Sequence, residues 1–197
     1  MRQLFNILRH TWFLLCKVIN YILLTMAGVN PSRLKINGIL IISNSGTIRI
    51  APGCKINSSK FKNIIGGDTR SSIIVAKGAT LQIGEGTRIS NSAIQCSERI
   101  SIGKHAMIGG SCRIWDSDFH STDPEIRKNT PNEGFVTAKI KIGNNVFIGG
   151  GTIILKGSVI GDNTVLAAGS VVSGTIPANE IWGGNPAKFI KKLNTPV

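Results

Sequence analysis

The sequence lacks several features that would mark a common class of protein. No acidic residue precedes Asp68, aromatic residues form only 6% of the chain, and no CxxC pair is present. With 23 glycines among 197 residues, the scarcity of aromatics favours a repetitive β structure over a helical bundle. Isolated cysteines are typical of small core residues in a reducing compartment, not of a disulfide framework or a metal site. The cysteines are Cys16, Cys54, Cys96 and Cys112.

The missing acidic residues leave the charge strongly one-sided. The chain carries 23 Lys and Arg against 10 Asp and Glu, a formal charge of +13, and nine of the basic residues precede Asp68. Such an imbalance indicates an anionic partner, with membrane phospholipid, a phosphorylated substrate and nucleic acid as the candidates. Aromatic residues do not alternate with the basic ones and no nucleic-acid-binding motif is present, which argues against nucleic acid.

Residues 1–30 are predicted to form an amphipathic helix. Residues 2–27 contain no Gly or Pro, and Gly28 and Asn30-Pro31 end the segment. Lys17 and Asn20 interrupt the apolar run before the ~20 residues that a membrane span needs, and no cleavage site of a signal peptide follows. An anchor at the membrane surface and a helix packed on protein remain open. The polar residues predicted to share one face are Arg2, Gln3, Asn6, Arg9, His10, Lys17 and Asn20.

From residue 34 to residue 176 the sequence predicts a β solenoid. An aliphatic residue returns at every sixth position, a period that neither a helix nor a single strand produces. A fixed short period indicates short strands and turns that bury one apolar side chain each by stacking on their neighbours. Three such sides per turn predict a triangular parallel β-helix. The clearest ladder is Ile142, Ile148, Ile154, Ile160, Leu166 and Val172.

Two segments interrupt this period, and a third follows it. Residues 57–72 are rich in Ser, Asn, Lys and Gly and predict a loop or an irregular coil. Residues 115–140 are polar, contain two prolines and predict a loop insertion, a place where solenoids often carry function. Residues 177–197 close the solenoid, and their basic stretch Ala187–Leu193 is compatible with a helix.

The insertion contains the best candidate for a catalytic base, His120. An imidazole is the side chain best suited to take a proton from a hydroxyl near neutral pH, and a nearby carboxylate can orient it. Asp116 and Asp118 share a face with His120 on an extended segment, so either is a candidate for this role. A zinc site is disfavoured, because β-helical carbonic anhydrases use three histidines and only His105 and His120 lie within the solenoid.

The ladder, the motif Asp-Ser-Asp-Phe-His-Ser-Thr-Asp at 116–123 and the ending Ile-Pro-Ala-Asn-Glu-Ile-Trp-Gly-Gly-Asn-Pro-Ala-Lys at 176–188 resemble the hexapeptide-repeat acyltransferases. The similarity covers Leu34–Leu193 and is greatest to the O-acetyltransferases of sugar and surface-polysaccharide biosynthesis. It implies a left-handed parallel β-helix, a homotrimer with active sites between subunits, and acetyl-CoA as the donor, without a metal ion.

The resemblance also implies roles for individual residues. His120 would remove the acceptor proton as the hydroxyl attacks the thioester directly, without an acyl-enzyme. The pantetheine arm would contact backbone at Gly150 and Ala168. The nucleotide end would lie near Ser173, Gly174 and the tail, although relatives often have Thr-Lys where this chain has Ser-Gly. Lys188 and Lys191 are the candidates for contacts with the phosphates of CoA, and Trp182 is the candidate for a contact with adenine.

The sequence therefore predicts an acetyl-CoA-dependent O-acetyltransferase of a saccharide hydroxyl in surface polysaccharide or lipopolysaccharide biosynthesis. The basic N-terminal third adds the hypothesis of a cytoplasmic enzyme held at the inner face of the membrane, acting on a lipid-linked acceptor. N-acetylation of an amino sugar and a non-catalytic β-helix scaffold are the alternatives.

Overall fold

The computed structural model describes residues 2–59, 61, 66 and 69–193, with side chains in the N-terminal helix from His10 onward. A long helix, α1 (Arg2–Met26), and a short 3-10 turn, Pro31–Arg33, precede the strands. Sheet A contains β1 (Leu34–Gly38), β4 (Cys54–Ser58), β7 (Arg88–Ser90), β10 (Met107–Ile108), β13 (Phe147–Ile148), β16 (Val165–Leu166), β19 (Glu180–Gly183) and β20 (Lys188–Lys192).

The other two sheets have six strands each. Sheet B contains β2 (Ile41–Asn44), β5 (Ser72–Val75), β8 (Ala93–Cys96), β11 (Arg113–Trp115), β14 (Ile153–Ile154) and β17 (Val171–Val172). Sheet C contains β3 (Thr47–Ile50), β6 (Thr80–Ile83), β9 (Arg99–Ile102), β12 (Ile140–Ile142), β15 (Val159–Ile160) and β18 (Thr175–Ile176).

Each strand pairs in parallel with the strand three places further along the chain, until β19 pairs antiparallel with β20. Three consecutive strands therefore make one triangular coil, and the coils stack along a common axis. This arrangement confirms the predicted all-β solenoid, a left-handed parallel β-helix. The three edges of the triangle are named here by the sheets they join: the A–B, B–C and C–A edges.

The predicted ladder forms the core of the last coils. All six of its residues, from Ile142 to Val172, are at most 2% exposed. Ile148 stands in register with Leu166, and Ile154 with Val172, so each side chain packs on its counterpart one coil away. Burying one aliphatic side chain of this size contributes roughly 1.5–3 kcal/mol. The six-residue period thus places one such side chain on each side of every coil.

The C–A edge is held by a column of asparagines in the left-handed conformation. Asn145, Asn163 and Asn179 have φ of 55°, 58° and 60°. The Asn145 amide donates to the Asn163 side-chain oxygen at 3.0 Å, and the Asn163 amide donates to that of Asn179 at 2.8 Å. Asparagine tolerates this backbone conformation better than most residues and its amide bonds with its neighbours, so the edge gains continuous pairing.

Helix α1 caps the N-terminal end of the solenoid through a polar contact. The Asn20 amide donates to the Gly38 carbonyl at 2.7 Å, and the Leu40 N–H donates to the Asn20 side-chain oxygen at 3.0 Å. Cys16 and Leu24 are buried beside it. Asn20 was predicted to share a polar face with Lys17. Lys17 is exposed, whereas Asn20 is buried and pairs with backbone groups that no further coil satisfies. The side chains of Arg2, Gln3, Asn6 and Arg9 lie outside the described part of the chain.

The outward face of α1 is mainly apolar, and Thr11 and Thr25 are also exposed on it. Val18 is 56% exposed and Met26 is 80% exposed, and Leu14, Leu15 and Ile22 are about half exposed. No helix among the described residues has the length and hydropathy to cross a membrane.

The C-terminal tail is a strand rather than a helix. Residues Lys188–Lys192 form β20, which pairs antiparallel with β19. The last parallel strand would otherwise leave a row of unpaired backbone groups at the end of sheet A, and β20 covers them. The helical alternative for Ala187–Leu193 is therefore wrong.

Candidate active site

The long insertion leaves the solenoid at the B–C edge, between β11 and β12. Its two ends are held together by antiparallel pairing: Asp118 N–H donates to the Val136 carbonyl at 3.1 Å, and Ala138 N–H donates to the Asp116 carbonyl at 3.0 Å. A short helix, α2 (Pro124–Asn129), begins where the Asp123 side chain accepts hydrogen bonds from two backbone N–H groups. The insertion is thus an ordered loop on a closed stem.

His120 lies on this loop with its ring exposed to solvent. Its Nδ1 is 2.6 Å from the carbonyl oxygen of Pro131. A carbonyl only accepts hydrogen bonds, so the bond requires the proton on Nδ1. In the neutral ring, Nε2 then carries the free lone pair, which is the state that a general base needs.

The backbone just before His120 adopts an unusual conformation. Phe119 has φ of 65°, a left-handed value that bulky residues rarely adopt. Its ring packs against Trp115, the last residue of β11, with the ring centroids 5.7 Å apart. This aromatic contact fixes the point at which the loop turns. The strained residue is therefore tied to the rigid solenoid beside the candidate base.

Asp116 does not contact His120. Its carboxylate is fully buried and accepts backbone N–H bonds from Ser97, Glu98 and Arg99 at 2.6, 2.9 and 2.7 Å. Ser97 and Glu98 form the turn between β8 and β9, one coil earlier, and Arg99 is the first residue of β9. Asp116 was predicted to orient the imidazole. Its carboxylate instead accepts hydrogen bonds from three otherwise unpaired N–H groups at a corner of the solenoid.

Asp118 does not contact His120 either. Its carboxylate lies 3.0 Å from Lys156 Nζ, on the turn that follows β14. Gly157 N–H also donates to the Ala138 carbonyl at 2.9 Å, so the loop is fastened to the next coil at two points. Both charged side chains are 31% exposed, so the ion pair contributes about 0–1 kcal/mol. In this structure the imidazole bonds with a carbonyl, and neither Asp116 nor Asp118 is its partner.

Gly150 and Ala168 stack on the A–B edge of successive coils. Gly169 N–H donates to the Gly150 carbonyl at 2.9 Å, and Gly151 N–H donates to the Gly110 carbonyl at 2.8 Å. A Cβ on Gly149 would lie 2.5 Å from Ala168 N, so the coils approach too closely for any larger residue there. Within the described residues, the N–H groups of Gly150 and Ala168 make no hydrogen bond. They form a row of available backbone donors.

Ser173 and Gly174 lie on a different edge from this row. Both are exposed in the turn after β17, on the B–C edge, where Gly174 has φ of 88°. The width of sheet B, roughly 15 Å at the rise of an extended chain, separates the two edges. Within one chain, the predicted site residues therefore lie on two different edges. Gly150 and Ala168 are on the A–B edge, whereas Ser173, Gly174 and the stem of the His120 loop are on the B–C edge.

Trp182 closes the end of the core. It stands in register with buried Leu166, packs against the hydrophobic core and meets the Phe189 ring at a centroid distance of 6.3 Å. Its indole N–H donates to the Glu180 carboxylate at 2.8 Å. The indole is therefore half-buried, with part of it packed on the core, and the adenine contact stays a prediction. Lys188 and Lys191 are exposed on β20.

The comparisons with known proteins agree with this architecture. Residues 139–174 match the family model of the bacterial transferase hexapeptide (six repeats). This segment of the chain carries the hexapeptide repeat of bacterial transferases. The predicted resemblance to the hexapeptide-repeat acyltransferases is thereby confirmed.

Three known proteins are similar to part of the chain. The putative lipopolysaccharide biosynthesis O-acetyl transferase WbbJ of Escherichia coli (strain K12) is 35% identical over 102 residues, 49% of this chain and 52% of that protein. A hexapeptide-repeat acetyltransferase of Vibrio cholerae O1 biovar eltor, solved with acetyl coenzyme A, is 32% identical with a TM-score of 0.56 over 62% of this chain and 66% of that chain. A galactoside acetyltransferase solved with coenzyme A is 27% identical, with a TM-score of 0.57 over 75% and 65% of the two chains.

The chain spans about half the length of the curated relatives that it matches. Among the described residues there is no cluster of three or more His, Cys, Asp or Glu side chains.

None of the four cysteines presents a nucleophilic thiolate near neutral pH. All four are buried, and burial raises the pKa of each thiol. For Cys96, burial and then the neighbouring Asp116 carboxylate raise the pKa to about 12. Neutral buried thiols are poor nucleophiles, so within the described residues the loop imidazole is the group suited to activate an acceptor.

Proposed function

We propose that this protein is an O-acetyltransferase that moves the acetyl group of acetyl-CoA directly to a hydroxyl of a saccharide, with His120 as the general base. The observation that supports this most strongly is the 2.6 Å contact between His120 Nδ1 and the Pro131 carbonyl, which leaves Nε2 free to accept a proton on an exposed loop. The names of the similar proteins, which are O-acetyl or galactoside acetyltransferases, support an oxygen acceptor.

The proposed reaction uses His120 twice. The donor supplies an acetyl thioester. Nε2 takes the proton of the acceptor hydroxyl as the oxygen attacks the acetyl carbonyl, and the same nitrogen then gives the proton to the sulfur that leaves, so the products are an ester and free CoA thiol. The Pro131 carbonyl holds the ring orientation and stabilises the imidazolium between these steps.

Backbone groups on the A–B edge are proposed to hold the donor. The unpaired N–H groups of Gly150 and Ala168 suit the amide oxygens of a pantetheine arm, and the small residues there admit close approach. Ser173 and Gly174 on the B–C edge, and Lys188 and Lys191 on β20, are the proposed contacts for the nucleotide and its phosphates. Trp182, which is half-buried against the core, is the proposed contact for adenine.

A homotrimer is part of the proposal. The row at Gly150 and the stem of the His120 loop lie on different edges of one chain, so a single chain does not bring base and donor row together. In a homotrimer, the loop of one subunit would lie against the A–B edge of its neighbour, and each active site would use two subunits.

We also propose that the protein attaches peripherally to the inner face of the membrane. The outward apolar face of α1, with Val18 and Ile22, and the absence of acidic residues before Asp68 support contact with an anionic bilayer. A lipid-linked acceptor in surface-polysaccharide synthesis would then be presented at the same surface.

The test of the proposed activity is thiol release from acetyl-CoA in the presence of a panel of sugars, followed by the mass of the product. Treatment of the product with hydroxylamine separates an ester, which is cleaved, from the amide that an N-acetyltransferase would make. His120→Ala should lose about 10²–10⁴-fold in kcat and keep its oligomeric state. His10→Ala is the matched control and should keep full activity. No thiol release with any sugar, together with normal CoA binding, would favour the scaffold alternative.

The membrane proposal needs a variant that keeps α1 docked. Deleting the helix would also remove Asn20, which pairs with the first coil, so its effect on lipid binding would be ambiguous. Val18→Asp with Ile22→Asp changes only the outward face and should abolish flotation with anionic liposomes. Ser43→Asp with Thr47→Asp introduces the same two charges at exposed positions of the first coil, outside the helix, and is the control. Undiminished flotation of the double variant would refute the role of the helix.

A further inference from the structure

An outward-facing column of residues on sheet A changes character along the solenoid axis. Lys35 of β1 stands in register with Lys55 of β4, which stands in register with Arg88 of β7. The column continues with Met107 of β10 and Phe147 of β13. All five side chains are exposed. The first three coils thus present only positive charge along this column, and the next two present only apolar surface.

The three basic residues, called the basic column from here on, are placed at an energetic disadvantage. Neighbouring strands are about 4.8 Å apart, so three like charges lie within about 10 Å of one another along one line. Like charges directly opposite each other on paired strands are destabilising. The ion pairs between described residues are Lys139 with Glu98 and Lys156 with Asp118, and neither involves the column. An anionic ligand would relieve this repulsion.

The basic column ends at Arg88, where it meets a groove beside the proposed active site. A cavity of about 250 Å³ is lined by Lys55, Arg88, Met107 and Phe147, together with Gly109 of the A–B edge. Gly109 precedes Gly110, whose carbonyl bonds with the turn that contains Gly150. A chain lying on the column would therefore lead towards the row of backbone donors.

We propose that the basic column binds the acceptor, and that the acceptor is an anionic saccharide chain with carboxylate or phosphate groups at regular intervals. This inference rests on the proposed O-acetyltransferase function and specifies its substrate class. A linear polyanion matches a column one residue wide that runs parallel to the solenoid axis. A bilayer is a less suitable occupant, because it needs a broad surface and the apolar helix face already provides one at the end of the solenoid.

The test measures binding of hexagalacturonate, an acidic oligosaccharide, to the full-length protein by calorimetry, with neutral maltohexaose as the comparison. Wild-type protein should bind the acidic probe, weaken with added salt and ignore the neutral one. Lys55→Gln with Arg88→Gln should lower the affinity about tenfold, since it removes two of the exposed charges that would pair with the acidic groups of the probe. Arg99→Gln with Lys141→Gln removes the same charge from exposed positions on sheet C, and it should change the affinity less than about twofold.

Four results would overturn the inference. Wild-type protein that does not bind hexagalacturonate, or equal losses in the two double variants, would show that no specific column exists. If the Lys55→Gln, Arg88→Gln variant binds hexagalacturonate normally but no longer binds phosphatidylglycerol vesicles, the ligand of the column is lipid. A column variant that sediments as a smaller oligomer would assign it to contact with another subunit. Because these measurements need no acetyl transfer, failure of the proposed activity in the thiol-release assay is distinguishable from failure of this inference.

Discussion

Replacing Asp116 distinguishes a structural carboxylate from a catalytic one. Its two oxygens accept N–H bonds from three consecutive residues, and Oδ2 serves two of them. In Asp116→Asn, one oxygen becomes an NH₂ group, so at least one backbone donor faces another donor in a fully buried site. Hydrogen bonds to a charged group are worth about 1.5–3 kcal/mol, and a buried unsatisfied donor costs about 1–3 kcal/mol. The expected loss in the free energy of unfolding is therefore about 2–4 kcal/mol.

The assay is urea unfolding at one fixed protein concentration, because assembly contributes to the stability of an oligomer. Asp118→Asn is the matched control, since its exposed ion pair with Lys156 predicts a loss of only about 0–1 kcal/mol. Below the unfolding transition, Asp116→Asn should keep kcat and its pH profile. A carboxylate that orients a catalytic histidine behaves in the opposite way, with a fall in kcat of about 10⁴-fold for the Asn variant.

A stability loss below about 1 kcal/mol together with a large fall in kcat would contradict the reasoning and restore Asp116 to a role at the imidazole. The stability loss without a change in the chemical step would support the carbonyl of Pro131 as the group that orients His120. Both quantities are needed, because either one alone can arise from a partly unfolded loop.

Three further outcomes are expected. Asn163→Ala removes two side-chain hydrogen bonds and places alanine at φ 58°, so the free energy of unfolding should fall by about 1–3 kcal/mol. Asn163→Gly removes the same bonds without backbone strain and should lower it less. Equal losses in the two variants would rule out a backbone contribution. The pKa of Cys96 in the folded state is raised to about 12, so between pH 9 and 12 the unfolded chain loses the thiol proton before the folded chain does. The free energy of unfolding should therefore fall with rising pH, by up to about 1.4 kcal/mol per pH unit. Cys96→Ala should show a smaller fall per pH unit. A thiol reagent such as dithiobis(nitrobenzoate) should leave the native protein unmodified and react with four thiols per chain in urea, and rapid labelling of the native state would contradict the burial of the cysteines.

Much of the fold follows from local pattern. The period of six from Ile142 to Val172 identifies the side chains that point into the core. It is regular because each short strand has one inward position and each turn has a constant length. The place of the insertion was also predictable, since prolines and polar residues interrupt that period. The form of the tail was not, because whether Lys188–Lys192 forms a helix or a strand depends on the unpaired edge that β19 offers.

Periodicity and composition are local properties, and they were sufficient to predict a β solenoid with one histidine on an inserted loop. The partners of the charged groups depend on how the coils stack, which local properties do not specify. Asp116 and Asp118 are near His120 along the chain, yet the stacking of coils brings residues 97–99 and Lys156 closer to their carboxylates. Coil stacking also aligns Lys35, Lys55 and Arg88 into one column, although 20 and then 33 positions separate them along the chain. Strand register joins distant residues, and no local pattern encodes which of them meet.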